Sequence, residues 1–193
     1  MNPPAARLAI FASGNGTNAE AIIRYFQKHD SIRAVLLLSN KSSAYALERA
    51  RKLGIPGRVF TREQLQGSEV LKWLSEFQAT HIVLSGFLWL IPPSLIEAFP
   101  NRIINIHPAL LPRYGGKGMY GEKVHQAVKA AGDKQSGITI HLVNERFDEG
   151  RILFQATCDL TPDDTPESIA NKVHAMEYRH YPTAIEQWAM NST

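Results

Sequence analysis

The stretch Leu8-Ala9-Ile10-Phe11-Ala12-Ser13-Gly14-Asn15-Gly16-Thr17-Asn18-Ala19 decides the fold. Five apolar residues in a row, 8–12, predict a buried strand. The glycines that follow permit a tight turn and let a ligand approach the backbone. Ile22, Ile23 and Phe26 then fall on one face of a helix predicted over 19–28. Strand, glycine turn and helix in that order open a βαβ unit, so a parallel sheet is expected.

The same alternation continues outward. Segments 34–38, 58–60, 81–84 and 103–106 read as strands, and 44–53, 68–77 and 93–99 as helices between them. A glycine-rich loop at 114–121 leads into a helix at 122–131. The last third changes character. Segments 138–143 and 152–157 alternate in polarity across a turn-like stretch, which predicts an antiparallel hairpin. A long amphipathic helix over 165–188 closes the chain, with Pro182 expected to bend or break it. The predicted fold is α/β, a doubly wound, mostly parallel sheet with antiparallel strands added at the C-terminal side.

Composition narrows the function classes. The chain has 193 residues, which suits one domain spanning 1–193. Its 44% hydrophobic and 20% charged residues support a sizeable core and argue against disorder. The net charge of +3 is spread along the chain, so it reads as mild attraction for an anionic small molecule and not as a nucleic-acid footprint. A lone cysteine, Cys158, permits no internal disulfide, and no Cys/His spacing suggests zinc. No signal peptide or run of ~18 apolar residues is visible. The expectation is a soluble, cytoplasmic protein with no membrane contact.

The glycine loop has three readings. The amides at a helix start suit an anion such as phosphate, with Thr17 and Asn18 adding side-chain donors. The match to G-x-G-x-x-A also fits a dinucleotide site, but that would want an acidic residue at the end of strand two, where this chain has Ser39-Asn40-Lys41. The third reading is a turn that only connects strand to helix.

The most specific stretch is Asn105-Ile106-His107-Pro108-Ala109-Leu110-Leu111-Pro112. Residues two apart on a strand share a face, so Asn105 and His107 point together. Pro108 ends regular pairing just after them. They therefore stand at the C-terminal end of a parallel strand, where ligands bind in this class. This pair suits acyl transfer: Asn105 can donate to a developing oxyanion, and His107 can donate a hydrogen bond and shuttle protons. The plainer reading is a strand-end histidine bonded to backbone. Asp148-Glu149-Gly150 lies in the turn between the late strands. It is a good turn in its own right. A carboxylate there, near His107, would raise the histidine's pKa and orient its ring, with His141 in support.

In their order and spacing these motifs resemble the phosphoribosylglycinamide formyltransferases, folate-dependent enzymes of purine biosynthesis. The matching residues run from Leu8 to Trp188: the 13–18 loop, Ser39-Asn40-Lys41, Leu47-Glu48-Arg49-Ala50, Gly86-Phe87, the 105–112 stretch, Asp148-Glu149-Gly150, and Glu177 with Tyr181-Pro182. The resemblance implies transfer of a formyl group from 10-formyltetrahydrofolate, as co-substrate, to the amine of N1-(5-phosphoribosyl)glycinamide. It implies direct transfer, with no acyl-enzyme and no metal. Gly16, Thr17 and Asn18 are then the phosphate binders, and Glu177 holds the ribose hydroxyls. Leu88, Trp89, Leu90 and Ile91, with Asn105, line the folate pocket, and the turn to Asp148 forms its other wall. Asn105, His107 and Asp148 form the catalytic trio. Residues 1–100 are the nucleotide-binding half and 101–193 the catalytic and folate-binding half.

Departures from the family pattern exist. The loop after Leu111 is unusually rich in glycine, and its Lys117 is a further candidate for the phosphate. The usual Glu-His pair of the last helix is Glu177-Tyr178. The region after strand three, where relatives present an arginine to the folate tail, is short, and Arg62 is the nearest counterpart. A methionyl-tRNA formyltransferase would share Asn-x-His-Pro but add an RNA-binding domain, and a formylfolate hydrolase would add a regulatory one. Nucleic acid is therefore not an expected partner. The partners expected are the two small molecules, for a monomer or homodimer.

Overall fold

The structure, a computed structural model, describes residues 6–191. The described residues form seven strands and seven helices. The strands are β1 (Ala6–Phe11), β2 (Ile32–Ser39), β3 (Gly57–Val59), β4 (His81–Leu84), β5 (Ile103–His107), β6 (Gln135–Leu142) and β7 (Ile152–Asp159). The helices are α1 (Thr17–Phe26), α2 (Tyr45–Lys52), α3 (Arg62–Gln66), α4 (Glu69–Glu76), α5 (Pro93–Ala98), α6 (Glu122–Ala130) and α7 (Pro166–Asn191). The sheet order is β3-β2-β1-β4-β5-β6-β7. Strands β1 to β5 run parallel, while β6 pairs antiparallel with β5 and β7 antiparallel with β6. The mostly parallel sheet with antiparallel strands at its C-terminal side is as the sequence predicted.

The apolar run of β1 is buried because successive residues feed two cores. Leu8 and Ile10 join Ile22, Phe26, Val83 and Ile104 on the face covered by α1, α6 and α7. Ala9 and Phe11 join Leu36, Leu38, Leu74 and Leu95 on the face covered by α3, α4 and α5. A strand with helices on both sides has no polar face to show in its sequence. The chain leaves β1 toward β2 and β3, then returns to β4 on the other side of β1. Ligands bind outside the strand ends at such a reversal. Here the loops after β1 and β4 are tied together: Ser13 N–H donates to the Gly86 carbonyl at 3.1 Å, and Leu88 N–H donates to Ser13 Oγ at 3.1 Å.

Two local expectations change. Pro182 does not break the last helix, which runs unbroken from Pro166 to Asn191. Burial on both sides of the proline holds it: Tyr181 is fully buried with its hydroxyl donating to the Leu84 carbonyl at 2.8 Å, and Ile185 and Ala189 follow it into the core. The short helix α3 had no apolar period to reveal it. A capping box makes it, with Thr61 Oγ1 accepting from Gln64 N–H at 3.3 Å and Gln64 Oε1 accepting from Thr61 N–H at 2.9 Å. Among the described residues, no helix is long and apolar enough to cross a membrane.

Candidate active site

The site forms where one helical layer stops. On β5, Ile104 and Ile106 face the core under α6 and α7; on β6, Ile138, Ile140 and Leu142 do the same. Alternation therefore sends Asn105, His107, Thr139 and His141 to the opposite face. The antiparallel register sets Asn105 opposite His141 and His107 opposite Thr139. Past Ile103, the last core residue of β5 on that side, Asn105, His107 and His141 line a cavity of about 820 Å³ whose walls also include Asn18 and Arg146.

His107 is almost fully buried, and both ring nitrogens meet acceptors. Nε2–H donates to the Tyr114 carbonyl at 2.7 Å, and Nδ1 lies 3.5 Å from Asp148 Oδ2. Burial pushes the imidazole below its ordinary pKa and outweighs the pull of Asp148 and of the carbonyl in the other direction. The sequence expectation of a raised pKa is thus reversed: the carboxylate is there, but desolvation wins. The resting ring is neutral with its proton on Nε2.

Asp148 is positioned by an unusual turn. Its backbone is left-handed, with φ 57°. A Cβ at Gly150 would stand 1.7 Å from the Leu142 carbonyl oxygen, so only glycine lets the turn lie against β6. Burial works to raise the carboxyl, but bonding to His141, the neighbouring His107 and the Gly116 N–H at 3.0 Å together hold it below its usual range. It is ionised at neutral pH. His141 Nδ1 meets the Leu142 carbonyl at 2.8 Å, and its Nε2 lies 3.6 Å from Asp148 Oδ1 and 3.2 Å from Asn105 Nδ2. Asn105 Nδ2 also points to Asp148 Oδ1 at 3.5 Å. Asn105, His107, Asp148 and His141 are one contact network.

The glycine loop contributes to the same cavity. Gly16 is left-handed with φ 76°, and a Cβ on it would come within 2.4 Å of Ala46 Cβ. Gly16 sets the turn and does not itself line the cavity; Thr17 and Asn18 do. Asn18 Nδ2 donates to Glu177 Oε2 at 2.8 Å, joining the loop to α7. Glu177 is buried, which raises its pKa against the lowering effects of Asn18 and His174.

The predicted folate wall lines the same cavity. Leu88 and Leu90 are exposed, Ile91 is buried, and Trp89 meets the rings of Phe60 and Phe87 at 6.1 and 6.5 Å. Arg62 is at the start of α3 and not in a loop, and its guanidinium lies 4.7 Å from the centre of the Trp89 ring.

Sequence reading missed His125 and His174, which also line the cavity. Their rings meet edge to face at 6.3 Å, and burial holds His125 at about 4. Their only sequence signals are that His125 follows the glycine-rich loop by one turn and that His174 precedes Glu177 by one turn. A second cavity of about 600 Å³ contains none of the candidates, and its Arg113 and Asp133 are paired with each other at 2.9 Å. Among the described residues, no group of three or more His, Cys, Asp or Glu side chains is placed to hold a metal ion.

The model of one protein family, Formyl transferase, matches residues 6–185. The chain belongs to the formyl transferase family. This formyl transferase is 35% identical to the phosphoribosylglycinamide formyltransferase of Bacillus subtilis, over 94% of the chain and 93% of that relative. It is 42% identical, over 93% of its length, to the chloroplastic phosphoribosylglycinamide formyltransferase of Arabidopsis thaliana, and spans 64% of that longer relative. The solved phosphoribosylglycinamide formyltransferase of Brucella melitensis superposes with a TM-score of 0.85 at 37% identity, covering 95% of each chain.

Proposed function

We propose that the protein transfers the formyl group of 10-formyltetrahydrofolate to the amine of N1-(5-phosphoribosyl)glycinamide, giving N-formylglycinamide ribonucleotide and tetrahydrofolate in purine biosynthesis. One observation carries this reading. A single cavity is lined by a helix-start loop suited to phosphate, an aromatic and apolar wall suited to a pterin, and a His–Asp–Asn network. Relatives named for this activity support it.

In this reading the amides at the start of α1 hold the phosphate, and Glu177 accepts hydrogen bonds from the ribose hydroxyls. Leu88 to Ile91 face the folate, with Arg62 toward its tail. Attack of the amine on the formyl carbon makes a new C–N bond and places negative charge on the formyl oxygen. Asn105 donates to that oxygen. The neutral His107 takes the proton the amine sheds, on Nδ1, and Asp148 stabilises the imidazolium that results. The proton then returns to the departing folate nitrogen as its C–N bond breaks. The whole chain acts as one unit, its first half holding the ribonucleotide and its second half the reacting groups. It works in the cytoplasm, on small molecules only.

Mixing the protein with 10-formyltetrahydrofolate and the ribonucleotide, and following absorbance as the folate loses its formyl group, tests the proposal. Turnover that requires the ribonucleotide is expected. Turnover without it would make the protein a hydrolase and end this reading.

A further inference from the structure

We infer that Arg49 is a positioning residue for the ribonucleotide phosphate, holding the glycine loop so that its N–H groups face outward. The inference rests on the reading of that loop as the phosphate cradle. It starts from how α2 grips the loop. Arg49 Nε donates to the Asn15 carbonyl at 2.8 Å, and Nη2 donates to Asn15 Oδ1 at 3.1 Å. One turn earlier, Ala46 N–H donates to the Gly14 carbonyl at 3.1 Å. Two successive carbonyls of the loop are thus turned toward α2.

These peptide units are trans, and in a trans unit the N–H points opposite to the C=O. The N–H of Asn15 and the N–H of Gly16 therefore point away from α2. Neither donates to a backbone or side-chain acceptor among the described residues. The left-handed Gly16 and the free N–H groups at the start of α1 continue the row. Consecutive outward N–H groups of this kind form a concave anion site.

Arg49 is itself held in place. Its Nη1 pairs with Glu20 on α1, which also accepts from Arg24 Nε at 2.9 Å, and its guanidinium packs on the Tyr45 ring at 4.9 Å. A planar fork fixed on three sides can set the angle of the Asn15 peptide. A flexible ammonium cannot reproduce it. Arg49 acts through the loop and touches no substrate atom in this account.

The test compares wild type with Arg49→Ala and Arg49→Lys, reading ribonucleotide and inorganic phosphate binding by calorimetry and the steady-state constants for both substrates. Both variants are expected to lose about tenfold in ribonucleotide affinity, the scale of one charge-assisted hydrogen bond. The loss should fall on KM for the ribonucleotide, with kcat and the KM for folate nearly unchanged. A merely structural role would lower the melting temperature and move all three constants together. Folded Arg49→Ala with wild-type ribonucleotide affinity overturns the inference, and so does full rescue by lysine, which would make charge and not the fork the cause. Wild type that binds neither phosphate nor the ribonucleotide overturns the cradle and this inference together, whereas binding retained in Arg49→Ala overturns the inference alone.

Discussion

His107 Nδ1 faces Asp148 Oδ2 across 3.5 Å while the opposite nitrogen of the same ring donates to the Tyr114 carbonyl. The neutral ring is thus fixed in one tautomer, with its free lone pair beside a carboxylate. A proton arriving on Nδ1 completes an ion pair that burial otherwise opposes. This is the arrangement of a base that is poised and not already charged.

The first prediction concerns that base. His107→Ala should keep the fold and lose about 10²–10⁴ in kcat, the usual scale of a lost general base. Asn105→Ala should lose about 10²–10³. Circular dichroism and single-turnover rates check both. Near-wild-type turnover in His107→Ala would remove the residue from the mechanism.

The pH profile gives the second. His107 must be neutral to act, and its pKa is depressed below 6.5, so the acid limb of kcat/KM should fall below pH 6.5. Asp148 is one of the groups that raise the pKa of His107. Asp148→Asn should therefore move the limb to still lower pH and lower the plateau. A limb that moves to higher pH in this variant contradicts the pairing.

The third concerns Glu177. Its bond to Asn18 joins α7 to the glycine loop, and Asn18 Oδ1 is already buried without a partner. Glu177→Ala leaves the Asn18 amide group wholly unpaired, at a cost of about 1–3 kcal/mol in stability. It should also raise KM for the ribonucleotide more than KM for folate. Urea denaturation and steady-state kinetics separate the two effects.

Folate binding supplies the fourth. Trp89→Ala removes the platform on which Arg62 rests, and Arg62→Ala removes the cation. Each should raise KM for folate and leave KM for the ribonucleotide alone. Arg62→Ala should matter more for a folate with several glutamates than for one with a single glutamate. Equal effects on both folates would place the tail elsewhere.

Stability against acid supplies the fifth. Burial holds His81 and His125 at about 4, against 6.5 for the ordinary group. Between those values the unfolded chain binds protons that the folded chain refuses. Stability should therefore be full above pH 6.5 and decline as pH falls toward 4, by at most about 3 kcal/mol for each histidine. Urea midpoints at pH 7 and pH 4.5 measure the decline, which His81→Phe should flatten. A midpoint that does not fall with pH contradicts the account.

Much of this was legible before the structure, for particular reasons. The 8–12 run had to be a central strand because both of its faces are apolar. Asn105 and His107 shared a face because a strand has period two. Helix α3 was hidden because its five residues are held by a cap and bury only Leu65. The geometry of Asp148 was also hidden, because it depends on a left-handed residue and on the fit of Gly150 against Leu142. The depressed pKa of His107 comes from burial, which a motif does not record. His125 and His174 come together only because α6 packs against α7.

The central claim is that one ribonucleotide reaches from the glycine loop to His107. A crystal structure with the bound ribonucleotide tests it most directly. The account predicts the phosphate on the amides of residues 15–18, the ribose at Glu177, and the free amine within hydrogen-bonding reach of the His107 ring. A phosphate bound elsewhere, with the amine far from His107, would contradict it.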